Sequence, residues 1–198
     1  MPKLVLASTN KGKILEFQEL LIGLPLELAS LADFPGLSQV VEDGSTFAEN
    51  AVIKASAFAK HTGELTLADD SGLEVDALNG EPGVHSARYG QPGWDDRERF
   101  QFLLEKLRGI PLEKRTARFR CAVALYNPKS GRLFQTDGTV EGIILDGPRG
   151  VNGFGYDPVF FIPELGKTMA ELTAAEKNRF SHRARAVEKM KPTLRQFY

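Results

Sequence analysis

Asp69 and Asp70 stand side by side in Ala68-Asp69-Asp70-Ser71-Gly72, directly after the apolar run Thr66-Leu67-Ala68. A carboxylate at a strand end is well placed to hold Mg²⁺, a hard cation that takes oxygen ligands and keeps several waters. It also suits the removal of a proton from an attacking water. Successive strand residues point to opposite faces, so only one of the two serves a given site. An acidic turn with Asp capping is the plainer alternative. A second segment, Ser8-Thr9-Asn10-Lys11-Gly12-Lys13, joins a strand-like Leu4-Val5-Leu6-Ala7 to a helix in which Ile14, Phe17, Leu20 and Leu21 recur. Backbone N–H groups and the positive end of a helix dipole favour an anion there, and two lysines and two hydroxyls add to it. The spacing is not that of a P-loop. An ordinary capped helix start with a solvated lysine pair uses the same residues.

Three further groups carry polar or aromatic side chains at suggestive spacing. Glu42-Asp43 precede Thr46-Phe47-Ala48-Glu49-Asn50-Ala51, and Asn50 and Lys54 share one helical face. Glu49 has a capping role opposite Thr46. Lys54 reaches a phosphate if that face lines a site, and is otherwise a solvated lysine. Gly153-Phe154-Gly155-Tyr156-Asp157-Pro158 places aromatic rings between glycines, where they lie flat against a nucleobase or cover the end of a core. Lys177 and Ser181 fall on one face of a helix, with His182 and Arg183 following. Such a group holds phosphates or reads a base carbonyl, or is simply a basic solvated helix.

These residues must be positioned by alternating strands and helices. The pattern predicts a strand at 4–7 and a helix to about 22. A second strand at 26–28, a loop over 31–45 and a helix from Thr46 to about Lys60 follow. Short strands are expected at 66–68, ending in Asp69-Asp70-Ser71-Gly72, and at 73–78. Residues 79–93 read as irregular, and a helix capped by Asp95 or Asp96 comes next. Strands at 117–126 and 132–145 flank the turn Asn127-Pro128-Lys129-Ser130-Gly131, which makes them an antiparallel hairpin. Val159–Ile162 reads as a short buried strand, and one helix runs from Ala174 to just before Pro192. The whole is one α/β domain with a mixed sheet over residues 1–198.

Composition limits what such a domain does. Of 198 residues, 25 are Lys or Arg and 26 Asp or Glu, a net charge of −1 that argues against a nucleic-acid binder with a basic surface. Cys121 is the only cysteine, so no internal disulfide forms and a reducing, cytoplasmic setting is expected. Its apolar surroundings, Phe119-Arg120-Cys121-Ala122-Val123, predict a buried, inert thiol. His61, His85 and His182 show no metal-ligand spacing. The N-terminal apolar run is too short for a signal peptide, and nothing approaches a membrane span.

Taken in order along the chain, six motifs resemble those of the non-standard purine nucleoside triphosphate pyrophosphatases. They are Ser8-x-Asn10-x-x-Lys13; Thr46-Phe47-x-Glu49-Asn50-Ala51; Ala68-Asp69-Asp70-Ser71-Gly72-Leu73; Pro82-Gly83-x-x-Ser86-Ala87-Arg88-Tyr89; Gly153-Phe154-Gly155-Tyr156-Asp157-Pro158-x-Phe160; and Glu176-Lys177-x-x-x-Ser181-His182-Arg183. The resemblance runs from residue 4 to about 190. It implies a single elongated α/β domain with a central mixed, twisted sheet, two lobes and a nucleotide cleft between them, assembled as a homodimer. It implies Mg²⁺-dependent hydrolysis of dITP, ITP and XTP to the monophosphate and pyrophosphate, with no nucleic acid or membrane as partner.

On the matching positions, Asp70 is the general base and a metal ligand. Glu42 is the second metal ligand, with Asp43 adjacent. Ser8, Thr9, Asn10, Lys11, Gly12 and Lys13 hold the triphosphate, aided by Lys54. Ser71, Phe154, Gly155, Tyr156, Asp157, Lys177, His182 and Arg183 hold the nucleotide. Two positions depart from the family pattern: Thr9, where Gly is frequent, and His85, where an aromatic is frequent. A pyrophosphatase for other odd nucleotides and a non-catalytic nucleotide-binding module are the competing readings.

Overall fold

Leu4, Val5 and Leu6 are fully or almost fully buried and form β1 (Lys3–Leu6), which pairs in parallel with β2 (Glu27–Ser30) on one side and β3 (Leu65–Val75) on the other. The computed structural model describes residues 2–37 and 40–198. Among the described residues the sheet has seven strands in the order β2-β1-β3-β4-β5-β6-β7, with β4 (Thr116–Asn127), β5 (Arg132–Ile144), β6 (Phe160–Ile162) and β7 (Lys167–Thr168) completing it. The link between β4 and β5 is too short for a crossover, so they form the expected antiparallel hairpin. Pairs β5–β6 and β6–β7 are also antiparallel. The mixed α/β sheet expected from the sequence is present.

Five α-helices accompany the sheet among the described residues: α1 (Lys11–Leu20), α2 (Phe47–Thr62), α3 (Asp96–Lys106), α4 (Ala174–Phe180) and α5 (His182–Leu194). Thr46, Asp95 and Thr173 cap α2, α3 and α4 with full capping boxes. Each of these starts carries acidic residues that suit the positive end of the dipole. Neither α1 nor α5 has an acid in its first turn.

Packing divides the chain into two compact units. Unit 1 comprises Met1–Asp70, Cys121–Gly138 and Arg183–Tyr198; unit 2 comprises Ser71–Arg120 and Thr139–His182. The division falls inside β3, β4 and β5. The core of unit 1 gathers Leu4, Phe17, Leu67, Leu125, Val187 and Met190. That of unit 2 gathers Leu73, Leu103, Phe119, Ile144, Phe160 and Met169. A fully buried Leu or Phe contributes about 1.5–3 kcal/mol relative to an exposed one. Among the described residues, no helix is long and apolar enough to cross a membrane.

The structure corrects three expectations. The two short strands at 66–68 and 73–78 are one strand, β3, and the acidic pair lies inside it rather than at a strand end or in a turn. Asp is a poor strand former, but cations from three helices compensate its charge here, and tertiary context overrides propensity. The single C-terminal helix is two. Ser181 takes an extended backbone (φ −69°, ψ 157°) that ends α4 immediately before α5. The second of these helices does not stop short of Pro192 but contains it in its last turn.

Candidate active site

Because side chains alternate along a strand, Asp69 and Asp70 leave β3 on opposite faces. Asp69 shares a face with Leu65 and Leu67 and meets α1 and α5. Lys13 Nζ lies 2.9 Å from Asp69 Oδ2, and Arg183 Nε lies 3.6 Å from the same oxygen. Arg183 also forms an ion pair with Glu16 of α1. Arg183 is only 1% exposed and is the largest fully buried side chain among the described residues. Burial opposes the Asp69 charge, but Lys13, Arg183 and Lys54 outweigh it and hold the carboxyl well below the usual range. Burial likewise opposes the Arg183 charge, and Glu16 and Asp69 restore it, so the guanidinium is firmly cationic. Cys121 Sγ sits 4.0 Å from Asp69 Oδ2. Burial and that carboxylate push its thiol up to about 12, which makes it the inert thiol expected from sequence.

On the other face, α2 meets Asp70. Asn50 and Lys54, expected to share a helical face, both reach this carboxylate. Asn50 Nδ2 donates to Asp70 Oδ2 at 3.0 Å, and Lys54 Nζ lies 3.7 Å from Asp70 Oδ1. The same ammonium is 2.7 Å from Glu42 Oε2. Asn50 Oδ1 accepts the Gly44 N–H at 2.8 Å, which ties the Glu42 loop to α2. Of the two acids in that loop, Glu42 is half-buried and meets Lys54, whereas Asp43 is exposed. Burial raises the Asp70 carboxyl above its ordinary value; Lys54, Lys13 and the Asn50 amide only partly counter it, and Asp69 adds to the rise. Burial works against the Lys54 charge, but Asp69, Asp70 and Glu42 together raise it, so Lys54 is cationic.

The segment before α1 has the capped form anticipated for it. Asn10 is the N-cap, its side chain accepting the Lys13 N–H at 3.0 Å, and its own N–H donates to Ser8 Oγ at 3.2 Å. Thr9, Asn10 and Lys11 are exposed, while Ser8, Gly12 and Lys13 are half-buried. Lys11 and Lys13 sit in a first turn with no acid, an unfavourable placement for cations that a bound anion would relieve.

Within unit 2, the Gly-rich aromatic segment is built around Asp157. Asp157 is 3% exposed; its Oδ2 accepts from Lys177 Nζ at 2.7 Å and from the Phe154 N–H at 3.0 Å. A side chain at Gly153 would put a Cβ 2.0 Å from that same oxygen, and φ there is +78°, so only glycine fits. Lys177 Nζ lies 4.8 Å from the centre of the Phe154 ring. Gly155 N–H donates to Asp96 Oδ2 at 2.7 Å, and the Tyr156 hydroxyl donates to Ser86 O at 2.9 Å. Burial raises the Tyr156 phenol, which remains protonated. The His182 ring stacks on Phe119 at 4.8 Å and 12°. Ser71 is half-buried on β3.

Unit 1 therefore gathers Lys13, Glu42, Lys54, Asp70 and the Arg183 side chain. Unit 2 gathers Phe154 to Asp157 with Lys177. The break at Ser181 separates Lys177 from Arg183, which the sequence had placed on one continuous helix. Sequence reasoning missed Glu16 and Asp96. The spacing Asn10-x-x-Lys13-x-x-Glu16 puts Lys13 and Glu16 on one helical face and was a usable signal for the first. Asp96 read only as a helix cap.

The chain matches the Ham1 family model over residues 4–193. It is 50% identical over 196 residues to a dITP/XTP pyrophosphatase of Desulforamulus reducens, covering 99% of this chain and 97% of the relative. It is 52% identical over 194 residues to one of Geobacter sulfurreducens, covering 98% and 97%. A HAM1 protein structure from Coxiella burnetii superposes with a TM-score of 0.90 at 44% identity, covering 99% of this chain and all of that one.

Proposed function

The chain belongs to the Ham1 family, and we propose that it hydrolyses dITP, ITP and XTP to the monophosphate and pyrophosphate, clearing deaminated purines from the nucleotide pool. The observation that carries this reading is the setting of Asp70. It is a buried carboxylate with a raised proton affinity, sharing one lysine with Glu42 and backed by a second lysine that Asp69 holds. That is the charge pattern of a site for a triphosphate and a hard cation.

Glu42 and Asp70 are our candidates for holding Mg²⁺. The donor set fits: two hard carboxylates converge on one cationic centre, and Mg²⁺ characteristically uses one or two carboxylates together with waters and substrate phosphates. When bound, the ion supplies neutralisation of phosphate charge and lowers the pKa of a bound water. Asp70 receives the proton of the water that attacks the α-phosphorus. The bond from that phosphorus to the bridging oxygen breaks, and pyrophosphate leaves. Lys13, Lys54 and the Ser8–Lys13 backbone balance the charge of the three phosphates. Ser71, Phe154 to Asp157, Lys177, His182 and Arg183 serve the nucleotide. Within that set, Asp157 fixes Lys177 beside the Phe154 face, and the Arg183 guanidinium is committed to Glu16 and Asp69.

A 6-oxo purine accepts a hydrogen bond where adenine donates one, and an unsatisfied buried donor costs about 1–3 kcal/mol, or about one to two decades in preference. We read the enzyme as a cytoplasmic homodimer acting on a small molecule, with no nucleic acid or membrane as partner. The net charge of −1 weighs against a nucleic-acid partner, and the free, buried thiol of Cys121 suits a reducing compartment.

Phosphate release from dITP, ITP, XTP, ATP and GTP, with and without Mg²⁺, tests the proposal. Pyrophosphate from the deaminated purines, lost without Mg²⁺ and reduced at least about 100-fold in Asp70→Asn, is expected. Orthophosphate as the first product, or near-normal kcat in Asp70→Asn with saturating Mg²⁺, overturns it.

A further inference from the structure

Glu42 and Asp70 face each other with a cation already between them. Lys54 Nζ is 2.7 Å from Glu42 Oε2 and 3.7 Å from Asp70 Oδ1, and its side chain is 12% exposed. The three side chains together carry a formal charge of −1, so the lysine offsets only part of the charge its two acids bring. An ammonium and a divalent cation repel, and they compete for the same oxygens. We infer that Lys54 is a place-holder: it keeps the two carboxylates together in the nucleotide-free enzyme, and it must leave them before they hold a divalent ion. The inference rests on the reading of Glu42 and Asp70 as the metal-holding pair, and it adds a role that binding of phosphate by Lys54 does not contain.

The geometry supports movement rather than a fixed bridge. Lys54 has a flexible four-carbon stem, and its ammonium is a compact point charge whose donors rotate freely. Asn50 secures Asp70 and the Gly44 N–H on its own account, so the loop and the strand stay tethered when the lysine leaves. A departing ammonium is best received by a phosphate oxygen, which couples release of the carboxylates to arrival of the nucleotide. Metal affinity is therefore held low until nucleotide is present. Removing the lysine has opposite effects on two measurements: turnover falls, while the nucleotide-free protein binds metal more tightly.

The test is Mn²⁺ binding to nucleotide-free protein, read from the free-ion electron paramagnetic resonance signal, in wild type, Lys54→Met, Lys54→Gln, Glu42→Gln and Asp70→Asn. The expected result is a dissociation constant at least about tenfold lower in Lys54→Met and Lys54→Gln than in wild type, and weaker binding in both carboxylate variants. Unchanged or weaker binding in the two lysine variants, with both carboxylate variants still impaired, overturns the place-holder and leaves the metal pair standing. Mn²⁺ binding indifferent to Glu42→Gln and Asp70→Asn removes the metal pair and the inference with it.

Discussion

Asp69 and Asp70 are neighbours on one strand, and the two faces of β3 give them opposite settings. On the Asp69 face, two cations, Lys13 and Arg183, meet two anions, Asp69 and Glu16. On the Asp70 face, Lys54 is shared by two anions, Glu42 and Asp70, and Lys13 adds only partial compensation. The compensated carboxylate is held ionised below its usual range, while the under-compensated one is pushed above it. The difference separates a strut from a reactive group. A balanced buried cluster fixes helices α1 and α5 to the sheet and has no call for a further ion. An unbalanced one gains from a cation or a proton, which is what a metal ligand and general base need.

The largest expected effect comes from breaking the balanced side. Asp69→Asn leaves Lys13 and Arg183 short of a buried partner, and removal of one member of such a cluster costs about 3–5 kcal/mol. In a chain of this length, that lowers Tm by on the order of 10 °C. Asp70→Asn removes a carboxylate whose charge is poorly compensated, so its Tm should match or exceed that of wild type while activity is lost. Thermal unfolding of the two variants side by side measures the contrast, and equal losses of Tm would erase it.

Acid unfolding sharpens the same contrast at a smaller amplitude. The folded-state pKa of Asp69 lies below its ordinary 3.8, so its contribution is present above that value and lost as pH falls further. The folded-state pKa of Asp70 lies above 3.8, so its ionisation weighs against the fold near neutrality, and that burden lifts as pH falls through the raised value. Stability measured from pH 7 to below pH 2 should lose the steep part of its acid limb, below pH 3.8, in Asp69→Asn. It should lose the shallower relief at higher pH in Asp70→Asn.

Much of this site is legible without coordinates, and the reasons are local. Thr46 and Glu49 announce the start of α2 because a capping box is a matter of four residues. That start, with helical spacing, puts Asn50 and Lys54 on one face. The strand period separates Asp69 from Asp70. The longer-range features are not legible in the same way. Glu16 reads as a solvated helix residue until Arg183, 167 positions away, lies against it. The break at Ser181 hides inside a helical pattern because residues 174–191 suit a helix on either side of it. Only packing shows that Lys177 belongs with Asp157 in one unit and Arg183 with Asp69 in the other. In sequence the acidic pair reads as the end of a strand, because the cations that permit it inside one come from elsewhere in the chain.

The smallest effect tests whether the unbalanced face depends on its one neutral member. Asn50 is 1% exposed and spans the loop and the strand, accepting from Gly44 N–H and donating to Asp70 Oδ2. Asn50→Asp keeps the size and the acceptor but replaces the donor with a third carboxylate beside Asp70. That adds negative charge where one lysine already serves two acids, so the Asp70 pKa should rise further and the acid limb of kcat/KM should move to higher pH. Asn50→Ala removes both hydrogen bonds and costs about 1–3 kcal/mol, from the half-buried Gly44 N–H and the buried Asp70 carboxylate that lose their partner. It should move the acid limb less than the Asp variant does, since it adds no charge. A pH profile of kcat/KM on ITP for the two variants decides the point. Identical acid limbs would mean that Asn50 only fastens the loop, and that the electrostatics of this face are set by Lys54, Glu42 and Asp70 alone.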